Sequence, residues 1–264
     1  MNKVQYAFID SGIGGLPYLQ HLLHIEPDAS AVFIADTGHF PYGTKTETEL
    51  QNIALELVKT VVKRFNPEIV VLACNTLSVV ALQTIRQHFS LPIVGTVPAI
   101  KLGIESTRTG NVVLIATERS IADPYTAHLI EEFSNGKNVI LKAEQELVWK
   151  IENGLLFASN AEKEKTIAPI IHFCRQKNAD CLVLGCTHYL ILKETFIKLA
   201  YETGGGIQII ESLHGVINQV LKLSPKHVEK TKTVFYTTSK LDTTNEKKYN
   251  AICTYFNIKN GGLL

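Results

Sequence analysis

Cys74 and Cys186 each close a short apolar run, Ile69-Val70-Val71-Leu72-Ala73-Cys74-Asn75-Thr76 and Cys181-Leu182-Val183-Leu184-Gly185-Cys186-Thr187-His188. Aligned at an offset of 112 residues, the segments agree in kind from Asn66/Asn178 and Glu68/Asp180 through Val71/Val183 and Leu72/Leu184 to small Ala73/Gly185 and the thiols themselves. Ligands of open α/β sheets bind beyond the carboxyl ends of strands, so a thiol followed there by amide, hydroxyl or imidazole groups is placed for chemistry. A cysteine thiol titrates near about 8.5, and lower at a helix N-terminus or beside a cation, so each can serve as base, nucleophile or ligand. Three uses follow. A metal site would join Cys186, His188 and Cys74, but these lack a recognisable ligand spacing and structural zinc normally takes four ligands. A redox pair would need the sulfurs within bonding distance and gives no reason for the surrounding polar groups. Acid–base chemistry from two sides of a carbon centre, one thiolate taking a proton while the opposite thiol supplies one, explains the duplication best.

Two further clusters carry polar groups. Asp10-Ser11-Gly12-Ile13-Gly14-Gly15-Leu16 follows a strand and opens a helix, where backbone amides can hold a carboxylate or phosphate. Asp36, at the end of the next strand, invites a dinucleotide reading. The spacing opposes it, because Leu16 and Pro17 stand where the third glycine belongs; glycines serving only a tight turn are the plainer alternative. Asp36-Thr37-Gly38-His39-Phe40-Pro41-Tyr42-Gly43-Thr44 reads as a pocket wall at a strand end, or as an ordinary surface loop. Cys174, Cys181 and Cys253 lie within strand or helix patterns and fit inert packing.

The elements that must position these groups alternate from end to end. Strands are expected near 4–9, 31–35, 68–73, 92–95, 111–116, 138–142, 180–185, 207–210 and 232–237, with amphipathic helices between them, the pattern of parallel strands joined by crossovers. One helix spans 47–65: Thr46 and Glu49 form a capping box, Leu50, Ile53, Leu57, Val61 and Phe65 recur at helical spacing, and Asn66-Pro67 ends it. Another begins at Asp123-Pro124. The strand at 112–117 resembles the opening one at 6–11, so the duplication extends beyond the cysteines. An α/β fold of two pseudo-symmetric three-layer domains with mainly parallel sheets is expected, residues 1–98 plus 207–264 carrying Cys74 and 99–206 carrying Cys186, with Gly204-Gly205-Gly206 as the return crossing and the active site between them.

Composition bounds the function. The chain has 264 residues, 45% of them hydrophobic, and a formal net charge of +1 with both signs interspersed. That gives ample core and no basic stripe, so a small molecule is expected as partner rather than nucleic acid. No secretory leader and no membrane span are read, and five cysteines without C-x-x-C spacing fit a reducing, cytoplasmic compartment.

Taken together and in order, Asp10-Ser11-Gly12…Gly14-Gly15-Leu16, Ala35-Asp36…Pro41-Tyr42-Gly43, Ala73-Cys74-Asn75-Thr76 and Gly185-Cys186-Thr187-His188-Tyr189 resemble the signatures of bacterial glutamate racemases, within the aspartate/glutamate racemase family. Ala116-Thr117-Glu118, Glu152-Asn153-Gly154 and Thr237-Thr238 extend the resemblance over nearly the whole chain. It implies an isomerase that interconverts L- and D-glutamate without cofactor or metal and supplies D-glutamate for peptidoglycan, as a homodimer. Cys74 and Cys186 would be the two bases, acting on the D- and L-enantiomers, with Asp10 assisting the first and His188 the second. Ser11, Pro41, Tyr42, Gly43, Asn75, Thr76, Thr117 and Thr187 would join Asp10 and His188 in holding substrate; Asp36 and Glu152 would be accessory. A Glu on a helix is ordinarily solvated, which gives Glu152 a bland alternative, as a hydrogen-bonded strand-end histidine does for His188. Departures from the family pattern are Leu77, Leu190, Glu144-Gln145, Glu211-Ser212-Leu213 and Ser239-Lys240, where many relatives carry a small residue, Pro, Cys-Pro, Asp-Ser-Gly and Gly. Aspartate racemase is the neighbouring activity, and His188 favours glutamate, since aspartate-acting relatives more often carry Glu there. A catalytically silent amino-acid-binding relative is a further alternative, which the two intact thiols oppose. No activation by a peptidoglycan precursor is expected, because relatives so activated carry an amino-terminal extension.

Overall fold

The computed structural model describes residues 3–204, 206–224 and 233–264, arranged as two α/β units: residues up to Thr96 with Leu213–Leu264, and Val97–Ser212. In the first, β1 (Tyr6–Asp10) leads through α1 (Leu16–Ile25) to β2 (Ala31–Ala35), a 3-10 turn (Tyr42–Thr44), α2 (Glu47–Phe65), β3 (Ile69–Leu72), α3 (Asn75–His88) and β4 (Ile93–Gly95). The second runs α4 (Ile100–Ser106), β5 (Asn111–Ala116), α5 (Glu118–Ala122), α6 (Pro124–Phe133), β6 (Asn138–Ala143), α7 (Gln145–Glu152), a 3-10 turn (Leu155–Phe157), α8 (Asn160–Gln176), β7 (Cys181–Leu184), a second 3-10 turn (Thr187–Leu192), α9 (Lys193–Glu202) and β8 (Gln208–Ile210). The first unit is completed by α10 (Leu213–Leu223), β9 (Val234–Thr237), α11 (Thr243–Tyr255) and β10 (Lys259–Leu263).

Strand order is β10-β9-β2-β1-β3-β4 in one sheet and β6-β5-β7-β8 in the other, and every described pairing is parallel. The second sheet thus repeats the β2-β1-β3-β4 order of the first, four strands later, so the duplication read around the cysteines is a duplication of topology. β1, β2, β3 and β7 are buried at every position, as strands covered by helices on both faces must be. Each fully buried Val, Leu, Ile or Phe contributes about 1.5–3 kcal/mol of apolar transfer.

Local signals set the helices. Thr46 Oγ1 accepts from the Glu49 amide while the Glu49 carboxylate accepts from the Thr46 amide, the expected capping box. Leu50, Ala54, Leu57, Val58, Val61 and Phe65 form the buried stripe of α2, and Asn66, left-handed at φ 43°, ends it. Asp123 caps α6 through the Tyr125 amide.

Two expectations are corrected. Residues 207–212 belong to the second unit, because β8 hydrogen-bonds to β7 in parallel register, so the chain leaves that unit after Ser212. The proposed crossing at Gly204-Gly205-Gly206 therefore precedes the last strand of the unit it was to leave, and its Gly205 lies outside the described residues, as does residue 232 of the ninth predicted strand. A tenth strand, Lys259–Leu263, escaped the pattern because Gly261 and Gly262 interrupt any alternation.

Candidate active site

Each thiol stands one residue beyond the level at which its neighbouring strand ends. In the first unit Ile9 pairs Leu72 and the Ala73 amide donates to the Ile9 carbonyl at 2.8 Å; in the second Ile115 pairs Leu184 and the Gly185 amide donates to the Ile115 carbonyl at 2.7 Å. Cys74 and Cys186 follow in matching extended conformations, φ −143°, ψ 119° and φ −138°, ψ 137°, each the N-cap of what comes next. For Cys74 that is the fourteen-residue helix α3, whose positive end favours the thiolate. For Cys186 it is the 3-10 turn Thr187–Leu192.

The units diverge in what surrounds the thiol. The last residue of the central strand is Asp10 in one and Ala116 in the other. Asp10 is fully buried, and its Oδ1 accepts from the Ser11 hydroxyl at 3.1 Å and the Gly12 amide at 3.2 Å, bonds that suit the ionised carboxylate. Gly15 is required here, since a Cβ on it would lie 2.6 Å from Ala73 Cβ and 2.8 Å from the Ala73 carbonyl oxygen. Gly15 thus lets α1 approach the thiol strand closely. In the second unit Sγ of Cys186 lies 3.9 Å from Nδ1 of His188, whose Nε2 lies 3.0 Å from Oε2 of Glu152. His188 and Glu152 are 1% and 2% exposed, which overturns the bland alternative of a solvated Glu152. It lies on the last residue of α7, buried with Leu147, Val148 and Ile151 on the face turned inward. With Nε2–H donating to Glu152, Nδ1 is left to accept the Cys186 proton, the logic of a carboxylate-oriented histidine.

Asp36 is also no loop residue at large. It is fully buried and accepts from the Tyr42 hydroxyl at 2.6 Å, the Thr238 hydroxyl at 2.5 Å and lies 2.9 Å from His39 Nδ1. Burial first, and then the carboxylate of Asp36 with Cys74 and Asp10 nearby, push the Tyr42 phenol well above its ordinary range. Its one hydroxyl hydrogen is committed to Asp36, so the Tyr42 oxygen faces other partners only as an acceptor, and a carboxylate at this turn would have to be met by backbone amides. Tyr189 is likewise raised, by burial and then by Cys186 and Glu144, and donates to the Glu144 carbonyl at 2.9 Å.

Of the other expected residues, Ser11, Tyr42, Gly43, Asn75 and Thr76 lie buried in the first unit and Thr117 and Thr187 in the second, whereas Pro41 is only half-buried. Thr117 caps α5, accepting from the Ser120 amide and donating to the Ser120 hydroxyl. Asn75 differs from all of these: both polar atoms of its carboxamide are shielded and have no hydrogen-bond partner among the described residues. Cys174, Cys181 and Cys253 are buried packing groups, their thiols pushed up to about 12, 11 and 12 chiefly by burial. Thr238 and Tyr189 were not singled out as site residues; Thr238 carried a weak signal as half of the Thr237-Thr238 pair.

The family model described as Asp/Glu/Hydantoin racemase matches residues 19–220. The chain belongs to this family. Among curated members, the glutamate racemase of Treponema pallidum (strain Nichols) is 34% identical over 263 residues, covering 99% of this chain and 97% of its own. That of Shewanella piezotolerans is 37% identical over 216 residues, covering 81% and 78%. The Escherichia coli glutamate racemase, solved in complex with L-glutamate and the activator UDP-MurNAc-ala, superposes with a TM-score of 0.86 at 27% identity, covering 99% of this chain and 98% of that one. Both thiols, Asp10, His188, Asp36 and Tyr42 are buried.

Proposed function

We propose that this chain is a cofactor-independent glutamate racemase in which Cys74 and Cys186 work on one α-carbon from opposite sides. One thiolate takes the α-proton, the C–H electron pair passes into the adjoining carboxylate as a planar carbanion, and the opposite thiol returns a proton to the other face. The thiols exchange protonation states at each turnover. Asp10 assists Cys74, and His188, oriented by Glu152, assists Cys186. Ser11, Asn75, Thr76, Thr117, Thr187 and the Pro41-Tyr42-Gly43 turn hold the zwitterion and the distal carboxylate. With no electron sink, the developing charge has to be met by such preorganised donors.

The observation that carries this proposal is the repeated strand-end thiol with unequal partners, a carboxylate beside one and a Glu-oriented imidazole in contact with the other. Binding alone would need neither thiol. The proposal extends to a cytoplasmic homodimer supplying D-glutamate for peptidoglycan; among the described residues no helix is long and apolar enough to cross a membrane.

The test incubates the protein with L- or D-glutamate in deuterated water, following optical rotation and α-deuterium. Racemisation is expected, with Cys74→Ser and Cys186→Ser each losing most of it. Unchanged turnover in both variants would overturn the two-thiol mechanism, and turnover of aspartate in preference to glutamate would overturn the substrate.

A further inference from the structure

Gln145 opens α7 at the carboxyl end of β6, where Ala143 pairs Ala116 and the next amide, that of Glu144, donates to the Ala116 carbonyl at 2.9 Å. The Glu144 carbonyl in turn accepts from the hydroxyl of Tyr189, three residues past Cys186. Gln145 is thereby fixed beside the turn that follows the second thiol, on the helix whose last residue, Glu152, meets His188. Both polar atoms of its carboxamide are shielded from solvent and have no hydrogen-bond partner among the described residues. Asn75 is the other described carboxamide in this condition, and it follows the first thiol directly. Glu68 and Arg119, each with one such atom, bond through their others to Lys3 and Asp123, and Thr96 shares the condition at its single hydroxyl.

Buried polar groups are almost always paired, so a carboxamide left wholly unmade needs a reason. For Asn75 the reason is at hand, as a ligand group whose partner arrives with the substrate. Gln145 carries the same signature in the second unit, at the strand ends where α/β sheets take their ligands. We propose that Gln145 is a substrate-binding residue, its Oε1 accepting from the ammonium and its Nε2 donating to the carboxylate of the amino-acid headgroup. This rests on the racemase function proposed above.

Gln145→Met keeps length and flexibility and removes only the amide. An unsatisfied amide burdens the free protein, so the variant should melt about 2–4 °C higher. Its KM for both enantiomers should rise about tenfold, the fold-change expected for a lost hydrogen bond to a charged group, and glutamate should raise its Tm less than it does in the wild type. A higher Tm with unchanged KM and unchanged stabilisation by glutamate overturns the proposal, leaving the amide a tolerated packing defect. A lower Tm with unchanged KM overturns it too, because the amide would then serve the fold. If the Met variant does not fold, Gln145→Ala in the same two measurements decides. Inactivity of the wild type would instead sink the racemase function, which the same assay reports separately.

Discussion

Glu152 and His188, 36 residues apart in the chain, are joined through Oε2 and Nε2 at 3.0 Å in a setting closed to solvent. A buried carboxylate that orients a histidine is a positioning group, and losing such a partner typically costs about 10–100-fold in activity. Glu152→Gln should therefore lower kcat/KM by that much, equally in both directions, because the two enantiomers are equal in energy. The direction-specific sign is isotopic. If Cys186 is the base for the L-enantiomer, as proposed, the primary deuterium isotope effect should grow for α-deuterated L-glutamate and stay near the wild-type value for the D-enantiomer. Equal changes in both would show that Glu152 supports the fold rather than the imidazole, and Glu152→Asp should recover part of the loss.

Thiol labelling separates chemistry from packing. Thiols held at about 11 to 12 are ionised at pH 8 only to about one part in a thousand or less, and thiolate is the reactive form. Cys174, Cys181 and Cys253 should stay unmodified by iodoacetamide at pH 8, and peptide mass spectrometry should find adducts on Cys74 and Cys186 alone. Glutamate should slow both. Prompt labelling of Cys253 in the folded protein would contradict its burial.

The thiol pair was legible in the sequence because the segments repeat in kind, and strand-end position distinguished Cys74 and Cys186 from the three packed cysteines. Topology was legible for the same reason: strong apolar runs bounded by turn residues leave little choice in a parallel sheet. What the chain order hid was lateral. Nothing local to Glu152 says that α7 delivers it to a histidine on another strand end, and nothing local to Asp36 says that Thr238, 202 residues later, arrives from β9 to donate to it. The unit boundary was misplaced by the same blindness, since only the β7–β8 ladder shows where residues 208–210 pair.

Tyr42→Phe tests what the phenol does. Its hydrogen is given to Asp36, which keeps Thr238 and His39 as partners, so the loss falls on stability at about 1–3 kcal/mol. KM for glutamate should stay within about threefold, since a phenol whose hydrogen is given to Asp36 has none left to donate to a carboxylate. A much larger rise in KM would return the phenol to the substrate.

Alkaline unfolding should carry the mark of three tyrosines. Tyr6, Tyr42 and Tyr189 are raised above the ordinary value of 10.0, chiefly by burial. A group whose pKa is higher in the folded than in the unfolded chain contributes stability that is complete below the unfolded value and falls as pH rises past it. Urea midpoints should therefore be flat in this contribution up to about pH 10 and decline above it, and Tyr42→Phe should remove part of the decline. Absorbance titration of the folded protein should show Tyr6, Tyr42 and Tyr189 resisting ionisation until unfolding.

Gly185 is the residue on which the second thiol's placement turns. A Cβ there would lie 2.7 Å from Leu114 Cδ1, 2.8 Å from the Ile115 carbonyl oxygen and 3.1 Å from Ala116 Cβ. The leucine could rotate away, but the carbonyl belongs to the β5–β7 ladder and accepts the Gly185 amide itself, so the strand end would have to move. Overpacking of this kind costs about 1–3 kcal/mol. Gly185→Ala should lower the urea midpoint accordingly and, by shifting Cys186 against His188, reduce kcat far more than KM. The twin position makes the control: Ala73 already carries a Cβ because Gly15 leaves room for it, so Ala73→Gly should lose stability modestly while keeping most of its turnover. Equal losses of kcat in the two variants would mean that the strand ends, rather than the Cys186–His188 contact, limit the reaction.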